Sequence, residues 1–223
     1  MEKIDLQMPT SNLYQELKKK FADLVASNGL SKESILVEGK VLNKEEAIGN
    51  PDRQEFPLVK GDEKLIQAEF KGAVGQAFTD MPGVFEGTMD EIINRPLETN
   101  FDRAVLTASI NAVLSYLGLI NKTVHCKNNE PEDCARQLSN FIHNQYNDPK
   151  VLLVGLQPAF LEELAACFQT RVLDLNPEEI GTVKFGVEVE AGDKDLREVV
   201  NWCDVVMATG STLVNGTITS WVN

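Results

Sequence analysis

Hydroxyls, an amide and two glycines crowd one short stretch of this sequence, Thr209-Gly210-Ser211-Thr212 followed by Asn215-Gly216-Thr217. It follows an apolar run, Asp204-Val205-Val206-Met207-Ala208, and opens a helical pattern. Hydroxyls and backbone N–H groups without intrahelical partners converge at such a junction, which suits a phosphate, a carboxylate or another anionic group. Glycine inside a helix costs roughly 1 kcal/mol against alanine. Gly216 therefore needs a reason, either close approach of a ligand or packing against a neighbour. N-capping is the plainer use of Ser211 and Thr212.

Three more stations offer chemistry. Gly155-Leu156-Gln157-Pro158 follows a second apolar run, Val151–Val154, but carries only one glycine and is not GxGxxG. The backbone then cannot easily wrap a pyrophosphate, which argues against classical NAD or FAD. Gly155 as a tight turn and Pro158 as a helix starter is the alternative. Asp174 lies 19 residues beyond Gly155, where a Rossmann acid takes ribose hydroxyls. Alternatively it caps the turn at Asn176-Pro177. Thr79-Asp80-Met81-Pro82-Gly83 ends a β-like run in a hydroxyl, a carboxylate and a Pro-Gly turn. Thr79 and Asp80 could serve as a catalytic pair, with Asp80 as acid or base, or as an ordinary strand-end turn. With two histidines in the chain, proton transfer falls to Asp80, Asp174 or Glu69. Asn111, polar within a buried helix, must find a partner in a ligand or in backbone.

Metal ligation has one candidate region. His125-Cys126, Cys134 and His143 are the soft ligands close together, but their spacing matches no standard zinc pattern. Cys167 and Cys203 lie in apolar helical stretches and read as buried thiols.

The elements that must position these residues fall into two organisations. Residues 11–28 form an amphipathic helix stopped by Asn28-Gly29. Strands are expected at Ser34–Leu42, Phe56–Lys60 and Leu65–Thr79, the last interrupted at Gly72 and Gly75, with a short helix at 88–94. From Thr99 the pattern changes. Thr99 and Asp102 fit a capping box, and Arg103 reads as a local ion partner of Asp102. The helix that follows, to about Leu117, is apolar nearly all round and so buried, as a spine joining two domains. Beyond it come a helix at Glu132–Tyr146, strand Val151–Val154, helix Pro158–Phe168, strand Arg171–Leu175, a weak strand at Val187–Glu190, helix Asp195–Trp202, strand Asp204–Gly210 and a helix from Thr212 to Trp221. Strand and helix at this rhythm predict an α/β fold, with a Rossmann-like parallel sheet carrying helices on both faces. The domain boundary is placed at 98/99, giving modules 1–98 and 99–223.

Composition narrows the partners. The 223 residues carry 21 Lys plus Arg against 34 Asp plus Glu, a net charge of −13 spread through both halves. Without clustered cations, nucleic acid and anionic membrane surfaces are disfavoured, leaving a small-molecule ligand and a homo-oligomer as partners to expect. An anionic ligand would have to be held by N–H groups and hydroxyls; a cationic or metal-complexed one meets no such obstacle. The start, Met1-Glu2-Lys3-Ile4-Asp5-Leu6, has no apolar h-region, and the cysteines form no disulfide framework, so a reducing cytoplasm is expected.

Asp102-Arg103-Ala104 through Asn111-Ala112, Val151–Pro158 and above all Asp204–Thr217 (DVVMATGSTLVNGT) resemble the DUF364 family, with weaker support from GQAFTDMP at 75–82. The family is described in terms of heavy-metal chelation. The resemblance spans about residues 10–223. It implies an N-terminal domain like that of enolase (DUF4213), then a Rossmann-like domain. It also implies a cleft lined by Thr79 and Asp80 on one side and Thr209–Thr217 on the other. A metallophore-, pterin- or nucleoside-like compound, a heavy-metal ion or a metal complex would bind there. Two departures stand out. Asp174 stands where a glutamate is expected, and relatives continue with at least one more strand and helix beyond Asn223, so the C-terminal sheet is expected to be truncated here or covered by a partner. The reading is an enzyme acting on such a compound in heavy-metal handling, with a non-catalytic binding protein for a metal or metal complex and a structural or assembly subunit as alternatives.

Overall fold

The computed structural model describes residues 10–40, 64–192 and 196–222, among which lie seven α-helices and two sheets. The strand expected at Phe56–Lys60 lies outside the described residues. By their contacts the described residues form two units, one of residues 10–40, 64–125 and 210–222, the other of residues 126–192 and 196–209.

The first unit is built on a four-stranded antiparallel sheet. Helix α1 (Thr10–Ser27) buries Phe21 and Val25, and its end turns through Gly29 at φ +67°, with Leu30 N–H donating to the Val25 carbonyl at 2.9 Å. Strands β1 (Ser34–Lys40), β2 (Leu65–Phe70), β3 (Ala73–Phe78) and β4 (Val84–Thr88) take the order β3-β2-β1-β4. The single strand expected at Leu65–Thr79 is in fact a hairpin. Phe70 pairs with Ala73 across Lys71 (φ +49°) and Gly72 (φ +85°). Two consecutive positive φ angles make the type I′ turn whose twist matches that of the strands.

Helices α2 (Met89–Asn94) and α3 (Asn100–Tyr116) each start on a capping box, Thr88 with Glu91 and Thr99 with Asp102. Helix α3 packs on β2 and β3, and its buried Ala104, Val105, Leu106, Ala108, Ala112 and Val113 share one core with Ile35, Val37, Ile66 and Phe70. This helix, expected to open the second module at 99, lies in the first unit. Its apolar wrap is instead consumed by the antiparallel sheet, which it approaches so closely that a Cβ at Gly75 would stand 2.2 Å from the Ala112 nitrogen.

Asp102, 7% exposed, holds the start of α3. One oxygen takes the Thr99 N–H at 2.9 Å and hydroxyl at 2.7 Å; the other takes Arg95 Nε at 2.6 Å. The ion partner is therefore Arg95 rather than Arg103. Burial works against the charge, but the Thr99 and Arg95 hydrogen bonds outweigh it and hold the carboxyl below its usual range. A depressed folded-state pKa gives stability that is present above the unfolded value, near 4, and is lost as the pH falls through the folded value. The difference in urea midpoint between wild type and Asp102→Asn should be full at pH 7 and shrink below about pH 4. A gap that stays constant down to pH 3 would show that charge is not what Asp102 contributes.

The second unit opens with α4 (Glu130–Tyr146) and centres on a five-stranded sheet. It runs β5 (Val151–Val154), α5 (Pro158–Cys167), β6 (Thr170–Asp174), β7 (Val183–Lys184), β8 (Val187–Ala191), α6 (Leu196–Trp202) and β9 (Val205–Ala208). The order is β7-β8-β6-β5-β9, with β9, β5, β6 and β8 parallel and β7 antiparallel to β8. All four residues of β5 are buried, as its continuous apolar run requires of a central parallel strand. Ile142 of α4 and Leu161 and Leu164 of α5 pack on Val151, Leu153, Val172 and Val189 of the sheet.

Helix α7 (Ser211–Asn215) belongs to the first unit, and the helix expected to run to Trp221 stops at Asn215. Gly216 takes φ +84° as its C-cap, and a separate 3-10 turn (Thr217–Ser220) follows. Among the described residues no helix is long and apolar enough to cross a membrane.

Candidate functional site

In an open parallel sheet the crevice for a ligand lies beyond the carboxyl ends of the strands, where the strand order reverses. Here that point is β5, flanked by β6 on one side and β9 on the other. The second unit brings Gly155, Gln157, Pro158, Asp174, Asn176 and Thr209 to this edge. Gly155 leaves β5 at φ +92°, a conformation that favours glycine. A Cβ on it would also stand 2.5 Å from the Thr209 Cγ2 methyl, so the two strand ends are in direct contact. Gly155 N–H donates to the Leu173 carbonyl at 2.8 Å and Thr209 N–H to Val154 at 3.0 Å.

Asp174 ties the edge together. Its Oδ2 accepts the Leu156 N–H at 2.6 Å and its Oδ1 accepts the Asn176 N–H at 2.7 Å. The carboxylate expected to take hydroxyls thus holds the β5–α5 turn and begins its own Asx turn. Each oxygen keeps lone-pair capacity for a ligand hydroxyl. Gln157 is the N-cap of α5 and makes no side-chain cap bond, while Pro158 occupies the first turn, where a missing N–H costs nothing. The α5 N-terminus therefore presents its N–H groups at the crevice.

The other candidates lie in the first unit. Thr79 is buried; its hydroxyl oxygen accepts the Met81 N–H at 3.1 Å, forming the local turn itself. Asp80 is exposed and accepts from Asn100 Nδ2 at 2.7 Å. Asn111 donates from Nδ2 to the Gln76 carbonyl at 3.0 Å, so backbone is one partner of this amide. The positive φ of Gly216 is sufficient reason for a glycine there. Asn215 Oδ1 accepts the Thr217 N–H at 3.0 Å and hydroxyl at 2.7 Å. Gly210 is the N-cap of α7, Ser211 opens that helix, and Thr212 is 4% exposed. Glu69 lies on β2, where it accepts from Gln67 Nε2 at 2.8 Å.

Arg103, expected only as an ion partner of Asp102, holds more than that. Its Nε donates to the Val214 carbonyl at 2.7 Å, one Nη donates to Leu97 at 3.0 Å, and the other bonds Asn100 Oδ1. Tyr14 Oη donates to the Leu213 carbonyl at 2.7 Å; burial pushes this phenol up, with Arg103 pulling the other way. A cation and a phenol thus hold the last carbonyls of α7, where the helix dipole favours positive charge. No sequence spacing links residues so far apart.

Among the described residues no group of three or more His, Cys, Asp and Glu side chains comes together as a metal site. Cys126 and Cys134 do meet, Sγ to Sγ at 3.9 Å. Their neighbour in sequence, His125, has Nδ1 2.7 Å from Gln76 Oε1, and His143, in the last turn of α4, is exposed. Cys167 is exposed and Cys203 half-buried, against the expectation that both are buried; burial pushes the Cys203 thiol up.

Residues 139–222 match the DUF364 family, described as "Putative heavy-metal chelation". Among solved structures the chain is similar to a protein of unknown function from the DUF364 family of Pyrococcus horikoshii. They share 17% identity at a TM-score of 0.54, over 91% of this chain and 70% of that one. A DUF364 protein of unknown function from Desulfitobacterium hafniense DCB-2 shares 14% identity at a TM-score of 0.46, over 93% and 72%. No curated protein matches the chain. The family match thus covers the C-terminal residues 139–222, and the likeness to the Pyrococcus horikoshii structure is one of fold.

Proposed function

We propose that this protein binds a small polar ligand at the carboxyl edge of its parallel sheet, as part of heavy-metal handling. The observation that carries the reading is the reversal of strand order at β5. The Gly155 turn, the α5 N-terminus and the Asp174 carboxylate gather there. The α5 N–H groups suit an anionic group, and Asp174 suits a hydroxyl or amine donor. A metallophore-, pterin- or nucleoside-like compound carries both. Binding without turnover is favoured over catalysis because Thr79 and Asp80 are engaged in a local turn and a bond to Asn100. The family description supports metal handling as the setting.

A thermal-shift screen against nucleotides, pterins, S-adenosylmethionine and metal–chelator complexes tests this. A ligand at 100 times its Kd should stabilise the fold by about 2.7 kcal/mol. It should also shift the amide resonances of Leu156, Ala159 and Asn176. Absence of stabilisation by every class, or shifts confined elsewhere, would overturn the reading.

A further inference from the structure

Cys126 and Cys134 stand eight positions apart, one in the loop before α4 and one in the second turn of that helix. The loop folds back on the helix start. Lys127 N–H donates to Glu130 Oε2 at 2.7 Å, Glu130 N–H returns a bond to the Lys127 carbonyl at 3.0 Å, and Asn128 takes φ +53°. This reversal carries residue 126 over the helix and sets the two sulfurs 3.9 Å apart, each half-buried.

That separation has a chemical meaning. Two thiolates on one tetrahedral ion, with metal–sulfur bonds of about 2.3 Å, have sulfurs about 3.8 Å apart. A disulfide needs about 2.05 Å, so closing one would draw these sulfurs together by nearly half their spacing. We infer that Cys126 and Cys134 form a two-thiolate site for a soft, filled-shell metal ion of the zinc, cadmium or copper(I) kind. Thiolate softness selects those ions over magnesium and calcium, which want oxygen. For a divalent ion the step is an exchange without electron transfer. Two S–H bonds break, two metal–sulfur bonds form, two protons leave to solvent, and water fills the remaining positions. Glu130 and Glu132 in the first turn of α4 add negative charge to the same end of the helix, while Asp133 is paired with Arg136. Residues 126 and 134 precede the stretch matched to the family, so the family description does not assign this pair. The inference is independent of the strand-end ligand site, and its test reads metal rather than an organic ligand.

The test is an anaerobic titration of the full chain with cadmium under a non-thiol reductant. One equivalent should saturate a thiolate-to-cadmium charge-transfer band and release two protons. Cys126→Ser and Cys134→Ser should each weaken binding by at least about a hundredfold, the upper range for loss of an outer-shell partner. Cys167→Ser and Cys203→Ser should leave it unchanged, and excess magnesium should not compete. Should Cys134→Ser fail to fold, Cys126→Ser, which alters a loop, decides the matter. A band that persists in the Cys126→Ser chain, a band lost with Cys167 or Cys203, or a reduced protein with no saturable band would each overturn the inference. So would a pair that only oxidises to a disulfide in air.

Discussion

Gly75→Ala is expected to lower the unfolding free energy by about 3 kcal/mol, at or beyond the upper end of ordinary overpacking. The new Cβ would lie 2.2 Å from Ala112 N, 2.3 Å from Ala108 O and 2.8 Å from Asn111 C, all backbone atoms of α3. No flexible side chain can yield, so the helix must lift off β3. Lifting it would stretch the Asn111 to Gln76 bond, now 3.0 Å, and open space around Ala108 and Ala112. Gly72→Ala is the control. Gly72 has φ +85° but open space around its Cβ position, so its cost is conformational, about 1–2 kcal/mol. Urea unfolding of both variants separates the effects. Equal costs would mean that close approach is not why residue 75 is glycine.

Arg103→Met should cost about 3 kcal/mol and expose the segment after Gly210 to protease. Methionine keeps much of the stem but removes donors from the Val214 and Leu97 carbonyls and from Asn100 Oδ1. Hydrogen bonds to a charged group contribute roughly 1.5–3 kcal/mol, and acceptors stranded in a part-buried site add to the loss. Arg103→Lys should recover only part of it, because an ammonium cannot reproduce the planar fork. Tyr14→Phe removes one bond and should cost about 1 kcal/mol. Urea midpoints and the rate of limited proteolysis near residue 210 check the series. An Arg103→Met chain with the wild-type midpoint and cleavage pattern would show that the carbonyls find water instead.

What was legible in the sequence follows its periodic and contiguous signals. The apolar runs at Val151–Val154 and Val205–Ala208 announced parallel strands, the first buried throughout and the second a half-exposed edge, and with them the strand ends where Gly155 and Thr209 meet. The Thr99–Asp102 capping box is local and was equally readable. Both hairpin turns escaped. Lys71-Gly72 and Phe185-Gly186 put a lysine and a phenylalanine at φ +49° and +50°, without the asparagine or aspartate that usually marks a type I′ turn. Pairing of the flanking strands imposes the turn there. The domain affinity of α3 also escaped, because a helix apolar on most sides does not say which sheet it faces. Gly75 decides it, and a glycine inside a strand gives no direction. At the strand ends, the turn that Asp174 caps at Asn176 was readable from local sequence, but its bond to Leu156 depends on strand register rather than composition. Arg103 was not legible, since its bond to Val214 joins groups 111 residues apart, and Cys126 and Cys134 were legible as soft ligands close in sequence but not as a pair in contact without His125 or His143.

The return of residues 210–222 to the first unit sets an order on how this chain can acquire its structure. Tyr14 leaves the ribosome 199 residues before the carbonyl it binds, and Arg103 leaves it 111 residues before its own. In the second unit the pairing of β5 with β6 and of β6 with β8 joins strands close in sequence, contacts that form sooner than those that wait for α7. During that interval the surface that later covers Val214 is open to solvent, and to other nascent chains. Synthesis in the presence of a chaperone, or slowed translation ahead of residue 210, should therefore affect yield more than the composition of this acidic chain would suggest.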